Sequence, residues 1–183
     1  MLYVSNKIMI VPVILHHQRN FKTNFVMETL NKRKAPHKLV LLVDDSSIDN
    51  FVNQKMIELN RFSENVIAFT RAKKALDYLK DIDVNKTYAQ QLPSIIFLDL
   101  NMPIMDGYEF IQQFKCLSSK IREKCKIIIL TSSVNPIDSL MSNEQKLVLT
   151  SLSKPLMKNN FDLIDLLIID NSLVYRDVSA RAV

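Results

Sequence analysis

Glycine is almost missing: among 183 residues it occurs once, at Gly107. Sites that need several glycines to bring backbone against phosphate, such as the dinucleotide fingerprint and the P-loop, are therefore excluded. Cysteine is nearly as scarce. Cys116 and Cys125 are too few for a disulfide framework or a cysteine-rich zinc site. They read as reduced core or surface thiols of a cytoplasmic protein. There is no tryptophan. No apolar stretch approaches the ~18 residues that cross a bilayer, so the expectation is a soluble chain without membrane insertion.

What is present suits one core. Apolar residues make up 48% of the chain and charged residues 23%, which argues against global disorder. The net charge of +5 is unevenly spread. The first 38 residues hold 7 of the 24 Lys/Arg and one of the 19 acidic residues, Glu28, leaving 17 basic against 18 acidic for the remainder. The body is thus near neutral behind a basic leader whose scattered charges, without aromatic interleaving, read as solvated. Residues 1–37 are expected to be a disordered extension, or to lie partly upstream of a true start at Met27. The apolar run 8–15 is short for a signal peptide and no small-residue cleavage site follows it. His16, His17 and His37 read as incidental to this leader.

From residue 39 the pattern is orderly. Residues 39–43 form a continuous apolar run ending in Asp44-Asp45, the pattern of a strand buried on both faces. Ser46 or Ser47 can cap a following helix with Ile48, Phe51, Val52, Met56 and Leu59 at helical spacing on one face. The cycle repeats with a strand at 66–69 and a helical stripe of Ala72, Ala75, Leu76 and Leu79, then a polar connection over 81–93. A third strand at 95–98 runs into Asp99, followed by a turn around Pro103 and Asp106-Gly107 and a helix with Phe110, Ile111, Phe114 and Leu117 inward. A fourth strand covers 126–130, a weakly patterned helix 136–146 and a fifth strand 147–152. A last helix carries Phe161, Ile164, Leu167 and Ile168. Alternation of this kind predicts right-handed crossovers and an α/β, doubly wound, five-stranded parallel sheet; the order expected for it is the flavodoxin-like 2-1-3-4-5. Ligands of such sheets bind beyond the carboxyl ends of the strands.

Those ends carry particular chemistry. Asp44 and Asp45 follow strand one, Asp99 strand three, Thr131-Ser132-Ser133 strand four, and Lys154-Pro155 strand five. In this topology the four strands are neighbours, so the groups converge. Carboxylates this close repel one another by about 1–4 kcal/mol per pair. A hard divalent cation offsets that, and Mg2+ commonly binds one or two carboxylates plus a phosphoryl oxygen. Lys154 supplies a permanent positive charge from the other side. The Asp44-Asp45 pair is best placed for the metal, whereas Asp99 stands alone on the central strand and is the expected acceptor, forming an acyl phosphate. Mg2+, Lys154 and the Thr131 hydroxyl would then stabilise the transferring group. Gly107 is expected to be structural, through a turn needing positive φ, and Pro155, through a cis bond, to fix the direction of Lys154.

The segments LLVDD (41–45) and FLDLNMPIMDGYEF (97–110), the Thr131-Ser132-Ser133 step and Lys154-Pro155 together resemble the receiver domain of bacterial two-component response regulators, in order and at compatible spacing over about residues 38–170. The resemblance implies a phosphoacceptor at Asp99 and Mg2+ held directly by Asp45, Asp99 and the Asn101 backbone carbonyl, with Asp44 acting mainly through water. It also implies a switch hydroxyl at Thr131 and a phosphate-pairing Lys154. The implied phosphodonor is a sensor histidine kinase or phosphotransfer protein. Two departures stand out: Ser151 occupies the position where the family usually has an aromatic switch residue, and the 54-residue interval from Asp45 to Asp99 is long.

The 13 residues after 170 form a tail too short for a DNA-binding output domain. The reading is therefore a stand-alone, phosphorylation-dependent signalling switch, not an enzyme beyond its own phosphorylation and dephosphorylation. Its downstream protein target would bind the face formed by the predicted fourth helix (136–146), the fifth strand and the last helix. Two alternatives stay open. A receiver-like scaffold that takes no phosphate is supported by Ser151. An aspartyl-phosphate hydrolase is disfavoured because Asn101 stands where such enzymes place a second carboxylate.

Overall fold

The computed structural model describes residues 35–86, 91–132 and 147–180, with side chains through 169 in the last segment. The expectations placed on 1–34, including the start at Met27, lie outside the described residues, as do the helix at 136–146 and Ser133. Five parallel strands are present: β1 (His37–Val43), β2 (Ser63–Phe69), β3 (Ile95–Asp99), β4 (Lys126–Thr131) and β5 (Val148–Ser153). Their order is β2-β1-β3-β4-β5, the flavodoxin-like order expected. The helices are α1 (Ser47–Leu59), α2 (Ala72–Asn85), α3 (Gly107–Phe114), α4 (Ser119–Lys124) and α5 (Lys158–Ala180).

The two-residue period of the strands divides the core into two layers. Leu41, Val43, Ile96, Leu98, Ile127 and Ile129 face α2 and α3, where Ala75, Leu76, Leu79, Phe110, Ile111 and Phe114 are buried. Val40, Leu42, Ile95, Phe97, Ile128 and Leu130 face the other way, onto Ile57 of α1 and Phe161 and Ile164 of α5. The central strands are thus apolar on both faces because each face carries helices.

Several expectations need correction. Most of the apolar stripe on α1 does not face the sheet: Ile48, Phe51, Val52 and Leu59 are exposed, while Met56, half-buried, packs against the core. Its buried face is Asn50, Asn53 and Ile57. The two amides are inward because they bind backbone: Asn50 Nδ2 donates to the Asp44 carbonyl at 2.8 Å, and Asn53 Oδ1 accepts the Leu156 N–H at 3.0 Å. Residues 81–85, read as connection, continue α2 and bury Ile82. β2 begins earlier than expected, at Ser63, and α5 runs on to Ala180. His37 is part of the sheet rather than an incidental leader residue. It opens β1, lies under the Phe62 ring at 4.5 Å, and joins Ser94 Oγ at 2.8 Å to Asp165 Oδ1 at 3.3 Å.

Ser46 caps α1, its Oγ accepting the Asp49 N–H at 3.1 Å, and Asp106 caps α3 through the Glu109 N–H at 2.8 Å. No helix among the described residues is long and apolar enough to cross a membrane.

The two thiols differ sharply. Cys116 is exposed, whereas Cys125 is buried and donates to the Pro93 carbonyl at 2.9 Å. Burial pushes the Cys125 thiol up to about 12. Since the thiolate is the reactive form, a maleimide is expected to modify native protein once, at Cys116, and unfolded protein twice. Intact mass checks this, and rapid native labelling of Cys125 would contradict the packing.

Candidate functional site

The carboxyl ends of β1, β3 and β5 bring together four of the residues singled out from sequence. Asp44, Asp45 and Asp99 place carboxylate oxygens within 4.8 Å of one another; Asp44 and Asp99 are buried and Asp45 is exposed. The Lys154 ammonium enters from β5, 2.6 Å from Asp44 Oδ2 and 3.0 Å from Asp99 Oδ1. Burial alone pushes that ammonium down, but pairing with Asp44 and Asp99 outweighs it, so the group is held above its ordinary 10.5.

Local structure explains each placement. Asp44 closes β1 as its N–H donates to the Phe69 carbonyl at 3.1 Å, and its Oδ1 accepts the Ser46 N–H at 2.9 Å. Asp99 is the last residue of β3, and its Oδ2 accepts the Asn101 N–H at 3.1 Å. Asn101 is thereby set beside Asp99 through its backbone, with its side chain exposed. Thr131 ends β4, buried, and its carbonyl accepts the Lys154 N–H at 3.0 Å, so the two strand ends are tied at the site. The Lys154–Pro155 bond is cis, as expected for Pro155.

Gly107 requires a correction. Its φ is not positive. The glycine is needed for close approach: a Cβ there would lie 2.6 Å from the Asp99 carbonyl oxygen and 2.7 Å from Leu100 Cα. The positive φ in this loop belongs instead to Ile104, at 72° and almost wholly exposed. That is an uncommon conformation for a β-branched residue, and it sits on the loop that leaves Asp99.

Reasoning from sequence missed Asp49. Its Oδ2 accepts a hydrogen bond from Lys154 at 3.3 Å, making a third carboxylate on the one ammonium. Spacing held the available signal, since Asp49 follows Asp45 by four residues at a helix start, about one turn. Asn53, which fixes the backbone just after Pro155, gave no signal, because a polar residue at an inward helical position reads as exposed.

With Asp45 beside them, four carboxylates share the pocket with one ammonium, which pairs with three of them, so the pocket is strongly negative. Asp44 Oδ2 is buried and has the Lys154 ammonium, at 2.6 Å, as its one partner among the described residues. Three carboxylates with oxygens this close, against a single ammonium, are an all-oxygen donor set for a hard dication, and the residues therefore fit Mg2+.

The response regulator receiver domain, as a family description, matches residues 40–167. A two component response regulator from Cytophaga hutchinsonii, known from its crystal structure, is 31% identical with a TM-score of 0.64, covering 74% of this chain and 98% of that one. Response regulator Rcp1 of Synechocystis sp. is 28% identical over 115 residues, 63% of this chain and 76% of its own length. The probable methanogenesis regulatory protein FilR2 of Methanothrix harundinacea is 30% identical over 118 residues, 64% of this chain and 72% of its own.

Proposed function

The chain belongs to the response regulator receiver family of two-component signalling, and from that premise we propose that it is a phosphorylation-controlled switch whose acceptor is Asp99. The observation that carries this is the buried Asp99 carboxylate at the end of the central strand, 3.0 Å from the Lys154 ammonium and next to the Asp44-Asp45 pair.

The chemistry follows from the placement. A carboxylate oxygen of Asp99 forms a bond to phosphorus while the bond from phosphorus to the donor breaks. The donor leaves with the electron pair, and an acyl phosphate remains on Asp99. Lys154 faces the same carboxylate and neutralises charge on the transferring group, and Thr131, one strand away, supplies a hydroxyl at the neighbouring strand end. The residues that would hold Mg2+ are Asp44, Asp45, Asp99 and the Asn101 backbone carbonyl. When bound, the ion would supply positive charge to the transferring phosphoryl group. The donor is a phosphohistidine on a sensor kinase or phosphotransfer protein in the cytoplasm, and the product is a change in affinity for a protein target rather than turnover of a small molecule. We read that target as binding the side of the domain that carries β5 and α5; the helix expected at 136–146, assigned to the same face from sequence, lies outside the described residues. With His37 opening β1, the receiver is assigned to residues 37–170, one residue earlier than expected, between a basic N-terminal segment and the segment 171–183.

Incubation with acetyl phosphate and Mg2+ should add one phosphoryl mass to the wild type and none to Asp99→Ala. No addition to either protein would favour the phosphate-independent scaffold, and multiple turnovers on a simple phosphate ester would favour a hydrolase.

Mg2+ alone should also stabilise the fold. At tenfold its dissociation constant it adds about 1.4 kcal/mol by mass action. For a domain of this size that raises the Tm by roughly 3–6 °C, reversibly with EDTA. A melting curve unmoved at millimolar Mg2+ would contradict the cation site.

A further inference from the structure

Lys154 has three carboxylate partners, and they differ in kind. Asp44 and Asp99 belong to the cluster that fits a cation. Asp49 does not, yet its Oδ2 lies 3.3 Å from the ammonium and accepts its hydrogen bond. A cation on the cluster and a phosphoryl group on Asp99 would draw on the same two carboxylates that Lys154 pairs with, Asp44 and Asp99. Asp49 is the partner that such loading leaves in place.

The helix carrying Asp49 is fixed on both sides of the pocket. The Asp49 N–H is held by Ser46 Oγ at 3.1 Å. The next residue, Asn50, donates to the Asp44 carbonyl at 2.8 Å. One turn further on, Asn53 Oδ1 accepts the N–H of Leu156, two residues beyond Lys154, at 3.0 Å. The Asp49 side chain therefore meets the lysine from a base that is tied both to the Asp44 strand and to the lysine's own loop. A lysine stem loses rotamer freedom whenever it is held in one place. An anchor that persists through the reaction keeps the ammonium preorganised for the transition state.

Resting on the function proposed above, we propose that Asp49 is a positioning residue: it keeps the Lys154 ammonium aimed into the pocket once Asp44 and Asp99 are engaged by cation and phosphoryl group. Asp49 is partly solvated, with 42% of its side chain exposed, so its effect is moderate.

The test is the rate of labelling by acetyl phosphate at saturating Mg2+, as a function of donor concentration. Asp49→Ala should lower the limiting rate by about threefold, the size of effect a screened ion pair has on a barrier. The donor concentration giving half the maximal rate should change little. Asp49→Asn keeps an oxygen acceptor for the ammonium and should recover most of the rate. In a Lys154→Ala background, Asp49→Ala should change nothing further. The proposal is overturned if Asp49→Asn and Asp49→Ala both speed labelling, as simple removal of a negative charge facing an anionic donor would do, or if the Asp49→Ala effect survives without Lys154.

A second readout separates this proposal from the function it rests on. The NMR signal of the Lys154 ammonium, identified by its loss in Lys154→Arg, should persist in Asp49→Asn and be displaced or broadened in Asp49→Ala, with no phosphodonor present. If the wild type takes no phosphoryl group, the proposed function falls and this signal decides the Asp49 contact alone. An unchanged signal in Asp49→Ala overturns the contact.

Discussion

Gly107→Ala is expected to cost about 3 kcal/mol of unfolding free energy, at the upper end of what one added methyl does in a packed site. The new Cβ would meet the Asp99 carbonyl oxygen at 2.6 Å and Leu100 Cα and Cδ2 at 2.7 Å. Two of these are backbone atoms, which cannot swing away as the end of a flexible side chain can. The same backbone sets the site: the Gly107 N–H donates to the Leu100 carbonyl at 2.9 Å, folding the loop after Asp99 back against the end of β3. Relief of the clash would move Asp99, so the variant should lose phosphoryl uptake along with stability. A urea midpoint well below wild type, at an unchanged slope, is the expected result. A wild-type midpoint would mean that the loop is looser than described.

Lys154→Ala is expected to be as costly in the absence of divalent cations, for an electrostatic reason. The lysine side chain is 12% exposed, and its partners Asp44 and Asp99 are 4% and 5% exposed. Removing one member of a buried pair leaves the other charges without compensation, a loss of about 3–5 kcal/mol. Here two buried carboxylates are left facing each other. The loss should shrink when Mg2+ is added, because a dication on the same carboxylates takes over part of the neutralisation. The pH dependence follows from the raised pKa of the ammonium. A folded value above the ordinary 10.5 means that the pairing contributes fully at every pH below about 10.5 and fades only as pH rises through the folded value. The wild-type advantage over Lys154→Ala should therefore be flat across the neutral range as far as the lysine's own titration is concerned. Chemical denaturation with and without Mg2+ checks both statements. Equal stability of the two proteins without cation would contradict the description of the pair as buried.

Most of the site could be seen in the sequence because each strand end announces itself. A continuous apolar run such as 39–43 must be buried on both faces. The first hydrophilic residue after it, Asp44, must then lie at the edge of the sheet, where the next connection begins. The same reasoning locates Asp99 and Thr131, Lys154 follows the more polar β5 by one residue, and the parallel arrangement of the strands follows from their alternation with helices. Gly107 was found for the wrong reason: as the lone glycine it signalled a backbone constraint, but a sequence does not distinguish positive φ from close approach.

The misses share one cause. Patterning assumes that buried helical positions are apolar, and on α1 that assumption fails. Asn50 and Asn53 are inward because the ends of β1, β2 and the Lys154 loop offer backbone groups that need partners. Ile48, Phe51 and Val52 are left outward. His37 reads as incidental in the sequence because its partners Ser94 and Asp165 are 57 and 128 residues away. Asp49 was hidden behind the same assumption: only with α1 turned to bury its amides does the carboxylate reach Lys154.

The most direct measurement is to locate the phosphoryl group by residue. Protein treated with acetyl phosphate and Mg2+ is reduced with borohydride, which converts an acyl phosphate of aspartate to homoserine, and the peptides are sequenced by mass spectrometry. The account predicts homoserine at position 99, dependent on Mg2+. Homoserine at 44, 45 or 49 instead, or the same yield at 99 with EDTA present, would contradict it.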